Sequence, residues 1–446
     1  MVKGSEEVLT SDHHGCFKGK ACNVEEKVVE LVNNTKKVGK DDPRRIVHSL
    51  KLGLAATMVS SFYYFEPLYD SFGASSIWAI ITVIVVFEFS VGATLGKGLN
   101  RTTATLVAGG LGFVAHYIAS ISGKIGHPIL LGIFISIMSG TATYLRFFPK
   151  LKAKYDYGLL IFILTFDMVA VSGYRDDEIL KLAWHRIANI LMGGFIAVVV
   201  CIFVRPVWAG ADLHQLVSTN IRNLGIFFEG FGYEYFGGLE GESIWGEDVL
   251  SYRALLSSKQ NEEALCFQAR WEPPHGMFRI WHPWKEYNKI GSLSRECAYR
   301  FEILNSLKAH TIQSPLEIQR QYQEHCLQLC IESGKALNSI AMAIRDIIPP
   351  AMAKSHTEKA KEKAEALMSL LKSSHFNGDM KMVSTTTLIY LLIDCLSCVE
   401  KIVDSVHDLV SLARPKTTHP PKQAGVMSTE QKAPHNIIIT HIQIAE

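Results

Sequence analysis

Arg101, Arg186 and Lys97 are the residues of this sequence best placed to do chemistry, because each lies at the edge of a long apolar stretch. A guanidinium keeps its proton, offers five donors and suits carboxylate oxygens two at a time. An arginine at the bilayer centre costs about 2.5 to 3.5 kcal/mol on insertion scales, so it normally faces water or a partner. Converging arginines at that depth select anions and organic acids. Lys97 adds a cation at the vestibule. The plainer role for Arg101 is a snorkelling or orientation-setting charge. Arg186 falls on the non-cytosolic side, where arginine is disfavoured, and fits that role poorly.

Glu88 and Asp167 fall inside the second and fifth apolar stretches. A carboxylate there repels anions unless it is protonated, paired or turned away, so both are candidates for pH-dependent gating, weighed against structural bonds between helices. His116 reads as a packing residue. Gly92-Ala-Thr-Leu-Gly96-Lys97-Gly98 has one residue too few for a phosphate-binding loop and lacks the hydroxyl after its lysine. No nucleophile elbow, metal-ligand cluster or cofactor motif has a credible spacing, which argues against an enzyme and leaves gradients as the energy source. The nine cysteines are scattered, and the Cys326/Cys330 and Cys395/Cys398 pairs read as buried apolar thiols.

The elements that would position these charges are helices. A bilayer core of roughly 30 Å takes about 20 apolar helical residues. Six stretches approach that length, at 46–65, 77–95, 102–121, 128–147, 157–174 and 187–204. Gly92 and Gly96 read as a weak small-residue helix-packing signal. Lysine and arginine concentrate before the first stretch and after the second, fourth and sixth, which places both termini in the cytosol. No apolar leader precedes the first stretch, so it inserts itself.

Past Trp208 the sequence becomes charged and helix-forming. Leu327, Cys330, Gly334, Leu337, Ala341 and Ile344 recur at helical spacing in a helix predicted to run from Ser314 to Pro349, and Leu388 to Leu409 repeats the pattern. The expected fold is therefore all-α: a polytopic membrane protein with six transmembrane helices, followed by a cytosolic helical bundle. The divisions are 1–42 (cytosolic segment), 43–207 (membrane), 208–413 (cytosolic helices) and 414–446 (a largely disordered tail rich in Pro, Thr, Lys and Gln). A net charge of +2, with no basic stripe carrying interleaved aromatics, argues against a nucleic-acid partner.

Several motifs strongly resemble the plant aluminium-activated malate transporter family of anion channels. They are Asp42-Pro43-Arg44-Arg45, the run from Phe87 to Arg101, Tyr155-Asp156-Tyr157-Gly158, Arg205-Pro206-Val207-Trp208-Ala209-Gly210, and Trp271-Glu272-Pro273-Pro274-His275-Gly276. The resemblance implies a homodimer with a conduction path near the subunit interface, and malate, chloride, nitrate or sulfate as permeants. It puts the family's pore arginines on Arg101 and Arg186, and a cytosolic functional signature on Trp271, Glu272 and Pro273. The plasma membrane is the favoured location, ahead of the vacuolar membrane. A proton-coupled exporter of organic acids, using Glu88 or Asp167, is the rival reading, and a membrane scaffold is the third.

The family's proposed aluminium-binding acids fall on Asp70 and Asp177, a second pair of gating candidates. A third falls on Lys181, whose ammonium opposes a trivalent cation. Micromolar aluminium should therefore raise the current of oocytes expressing this protein weakly or not at all; strong enhancement would contradict the reading.

Overall fold

The computed structural model describes residues 29–30, 32–64, 77–172, 179–237, 251–279, 282–310, 316–373 and 380–413. Asp70, Asp177 and the tail from Arg414 lie outside them, and of Lys181 only the backbone is described. Among the described residues the chain is all-helical, apart from one isolated bridge between His275 and Phe278.

The first half comprises α1 (Pro43–Tyr64), α2 (Ile77–Val86), α3 (Val91–Ser120), α4 (Gly123–Leu145), α5 (Pro149–Ser172) and α6 (Ile179–Phe203). Three segments are long and apolar enough to cross a membrane: Val91–Ser120, Gly123–Leu145 and His185–Phe203. α1 and α5 are of comparable length, but α1 carries Arg44, Arg45 and Lys51, and α5 carries Lys150, Lys152, Lys154, Asp156 and Asp167. The outward surface of α2, α3, α4 and α6 is apolar, with Ile84, Val107, Val114, Ile129, Ile133 and Phe195 all exposed. That pattern belongs to a protein whose solvent is lipid.

The stretch 77–95 is not one helix. α2 stops at Val86, and residues 87–90 are non-helical. Ser90 is extended, and its Oγ accepts from the Ala93 N–H at 3.1 Å, so a serine cap ends one helix and starts the next. Lys97 and Arg101 therefore lie inside the 30-residue α3, whereas the sequence reading put them between two spans. α2 crosses α6 closely, because a Cβ on Gly193 would lie 2.5 Å from the Ala79 carbonyl oxygen.

The second half holds α7 (Ala209–Phe236), α8 (Arg253–Leu256), α9 (Lys259–Ala269), α10 (Trp284–His310), α11 (Leu316–Arg345), α12 (Ala351–Ser373) and α13 (Met380–Ala413) around a common core. The periodic faces read from the sequence are the buried ones: Cys330, Leu337 and Ile344 on α11, and Cys395, Val399, Ile402 and Val406 on α13, are fully enclosed. α11 ends at Arg345, short of Pro349, and Ile347 turns the chain at φ 47°. The seven described cysteines, at 201, 266, 297, 326, 330, 395 and 398, are free and buried.

A hydrogen-bonded relay lies within this core. His214 Nε2 is 3.1 Å from the Arg345 carbonyl, which can only accept, so Nδ1 accepts from the Tyr287 hydroxyl at 2.8 Å. That hydroxyl in turn accepts from His282 Nε2 at 3.1 Å. Burial holds both imidazoles neutral, pushing His282 down to about 4 from 6.5, with His214 and His275 adding to the shift. Below pH 6.5 the unfolded chain takes up protons that these folded histidines refuse. Stability is therefore present above that pH and is lost as pH falls below it, for His282 down to about 4, by up to about 1.4 kcal/mol per pH unit. Melting of the purified protein should show a drop from pH 7.5 to 5.5 that H282F makes shallower; an unchanged slope in H282F would remove His282 from the account.

Candidate functional site

Arg101 lies on the inner face of α3 and is 3% exposed. Its Nη1 donates to the Tyr157 hydroxyl on α5 at 2.9 Å. Arg186, on α6 and 7% exposed, has its guanidinium 3.9 Å above the indole of Trp78 on α2 and contacts the Met168 sulfur through Nη1. Both guanidiniums contact α5, Arg101 at Tyr157 and Arg186 at Met168. Neither has a carboxylate at ion-pair distance among the described residues, and the Nε of each is buried without a hydrogen-bond partner. Thr105, one turn beyond Arg101 on α3 and 2% exposed, holds a third unpartnered polar atom, its Oγ1.

Two buried guanidiniums without counter-ions are costly in a low-dielectric interior. An anion with oxygens to share relieves that cost. The free donors of Arg101, Arg186 and Thr105 are of the kind that replaces the water a carboxylate sheds.

Lys97, Glu88 and Asp167 are engaged. Lys97 is paired with Glu88 at 2.5 Å and lies 5.2 Å over the Tyr157 ring. Tyr157 thus touches Lys97 with its face and Arg101 with its hydroxyl. Asp167 accepts from Ser139 Oγ on α4 at 2.9 Å. Gly158 lets α5 reach α3, since a Cβ there would meet Asn100 Oδ1 at 2.1 Å.

The signature Trp271-Glu272-Pro273 sits at the base of α3. The Glu272 side chain, 1% exposed, accepts from the backbone N–H of Ala209 at 2.6 Å and of Gly210 at 3.0 Å, the first two residues of α7. The Gly92 N–H at the start of α3 also faces the carboxylate and favours its charged form. One carboxylate therefore caps two helices, where their dipoles favour negative charge. Burial raises its pKa, and the three amides oppose that shift. Gly92 and Gly96 are small for this contact and not for packing against another membrane helix: a Cβ on Gly92 would lie 2.2 Å from the Gln268 carbonyl, and one on Gly96 would lie 2.9 Å from the Trp271 ring. The Pro273 carbonyl accepts from His275 Nδ1, and the His275 ring stacks on Trp208 at 3.8 Å. Lys51, 2% exposed, donates to the carbonyl of Arg205, which takes a left-handed φ of 45° in the connection between α6 and α7.

Tyr157, Trp78 and Thr105 were not singled out from the sequence. Tyr157 was visible only as part of a motif, and Thr105 carried the one usable signal, its i+4 spacing from Arg101. Trp78 is brought to Arg186 by the crossing of α2 and α6, which spacing along the chain does not encode.

Apolar-coated helices enclosing unpaired cations define a membrane protein of the transporter class. The family described as Aluminium activated malate transporter matches residues 36–378. Aluminum-activated malate transporter 2 of Arabidopsis thaliana is 46% identical over 92% of this chain and 83% of its own length. Aluminum-activated malate transporter 1 of Arabidopsis thaliana is 44% identical over 87% and 81%, and the Triticum aestivum protein of that name is 40% identical over 86% and 87%. The chain belongs to the aluminium-activated malate transporter family, a family of transporters and not of enzymes.

Removing the Glu272 cap by E272A should lower unfolding stability by about 2 kcal/mol or more, because hydrogen bonds to a charged acceptor are worth about 1.5 to 3 kcal/mol each and the buried amides would be left bare. E272Q should fall between. Equal melting of E272A and the parent protein would remove the capping role.

Proposed function

We propose that this protein is an anion channel that passes malate, and inorganic anions such as chloride, nitrate and sulfate, down their electrochemical gradients. The observation that carries this reading is the pair of buried guanidiniums, Arg101 and Arg186, enclosed by helices and free of carboxylates among the described residues. In this reading α1 to α6 are six bilayer elements, with the ten-residue α2 an incomplete span among the described residues. Residues 208–413 form the cytosolic helical domain, 1–42 and 414–446 flank it as cytosolic segments, and two copies frame the path. The membrane is the plasma membrane.

Transfer of a dianion across 100 mV is worth about 4.6 kcal/mol, so voltage alone drives flux. Arg101 and Arg186 take over from water at the anion's carboxylates, and Tyr157 holds the Arg101 fork in place. Lys97 stands on the cytosolic side of Arg101, with its charge partly offset by Glu88. The proton-coupled rival needs a carboxylate free to load and release a proton. Glu88 is tied to Lys97 and Asp167 to Ser139, which favours the channel.

In proteoliposomes under a set voltage, R101Q and R186Q should each cut malate flux about tenfold, equivalent to about 1.4 kcal/mol, and shift the malate-to-chloride permeability ratio. Y157F should have a smaller effect in the same direction. Unchanged ratios in both arginine variants, or a reversal potential that follows the proton gradient, would refute the channel reading.

A further inference from the structure

A cleft of about 890 Å³ opens between α3, α5 and the end of α9, on a face of α3 that does not include Arg101. It is lined along α3 from Gly92 to Val107, a rise of about 22 Å. Its two ends differ in chemistry. Next to α9 the wall is cationic and aromatic, with Lys152, Lys154, Arg270 and Trp271; at the far end it is Ala104, Val107, Leu159 and Phe162. A second cavity of about 680 Å³ shares Lys154 and Arg270 with it and adds Lys150 and Glu263.

The charges in the first cleft do not cancel. Its two carboxylates are engaged within the chain, Glu88 by Lys97 and Asp156 by Arg146 at 2.7 Å. Asp156 acts on Lys152 only at longer range. Lys152, Lys154 and Arg270 are exposed and have no carboxylate at ion-pair distance among the described residues. Trp271 and Tyr155, 41% and 49% exposed, are of the types that settle at the level of lipid headgroups. A small soluble anion would leave the apolar end empty, and an apolar molecule would leave three cations unanswered.

We propose that this cleft holds one anionic glycerophospholipid of the cytosolic leaflet, with its phosphate among Lys152, Lys154 and Arg270 and an acyl chain along Ala104, Val107, Leu159 and Phe162. The inference rests on the membrane reading above and adds a partner to it. The bound lipid touches Gly96, Lys97 and Trp271 at once, so it steadies the joint between the base of α3 and the signature segment.

The test is native mass spectrometry of the full-length protein in mild detergent, titrated with phosphatidylglycerol, phosphatidylcholine or glycerol 3-phosphate, alongside liposome anion flux. The parent protein should prefer phosphatidylglycerol to phosphatidylcholine by about tenfold, on three charge-assisted phosphate contacts. The K152Q/K154Q/R270Q variant should bind both equally, and A104F, which fills the apolar end, should bind neither. Glycerol 3-phosphate should not compete. An unchanged preference in the triple variant, full competition by glycerol 3-phosphate, or quantitative T103C disulfide formation between two copies would each overturn the proposal, the last by showing the cleft closed by a second chain. Absence of any phosphatidylglycerol preference in the parent protein, with Arg101-dependent flux intact, would sink the lipid site alone, whereas loss of that flux dependence bears on the channel.

Discussion

The structure depends on one carboxylate answering two helix starts. Glu272 lies at the meeting point of α3 and α7, buried, accepting from Ala209 and Gly210 and facing the Gly92 N–H. Each helix begins with amides that have no partner of their own, and at this joint water cannot supply one. A single negative charge satisfies both ends and faces the positive end of both dipoles. The neighbouring contacts follow from that placement: Gly92 and Gly96 are bare so that the Gln268 carbonyl and the Trp271 ring can close on α3, and Trp208 stacks on His275 beside it.

This joint connects the Trp271-Glu272-Pro273 segment to the cations of α3. The segment carrying Glu272 holds the foot of the same helix that carries Lys97 and Arg101. Tyr157 repeats the arrangement higher up, touching both cations from α5, and Gly158 admits α5 to the contact. The two arginines are thus fixed by neighbours that are aromatic or hydroxylic and leave their charge uncancelled. A partner such as Asp167 would have neutralised them, but it is held by Ser139 instead.

Much of this was legible in the sequence. The helical class, three of the six apolar stretches as spans and the buried faces of α11 and α13 follow from spacing and transfer cost. What the sequence concealed was how elements meet. The run from Ile77 to Leu95 reads as one span because hydropathy does not register a serine cap, yet Ser90 breaks it and moves Arg101 from a helix end to a helix interior. Gly92 and Gly96 have the spacing of a helix-packing motif, but what they admit is a carbonyl and an indole from a segment more than 170 positions away. The use of Glu272 could not be read locally, since its two donors lie some 60 positions upstream and the Gly92 amide it faces lies further still.

The length of α3 has a geometric consequence. Its foot is pinned at Gly92, Arg101 rides about 14 Å up the rod, and the far end at Ser120 lies about 42 Å away. A small pivot about the pinned foot displaces the distant tip three times as far as the guanidinium. A tilt of α3 about that foot by a few degrees therefore carries the Ser120 end through several ångströms while the Arg101 guanidinium moves one third as far.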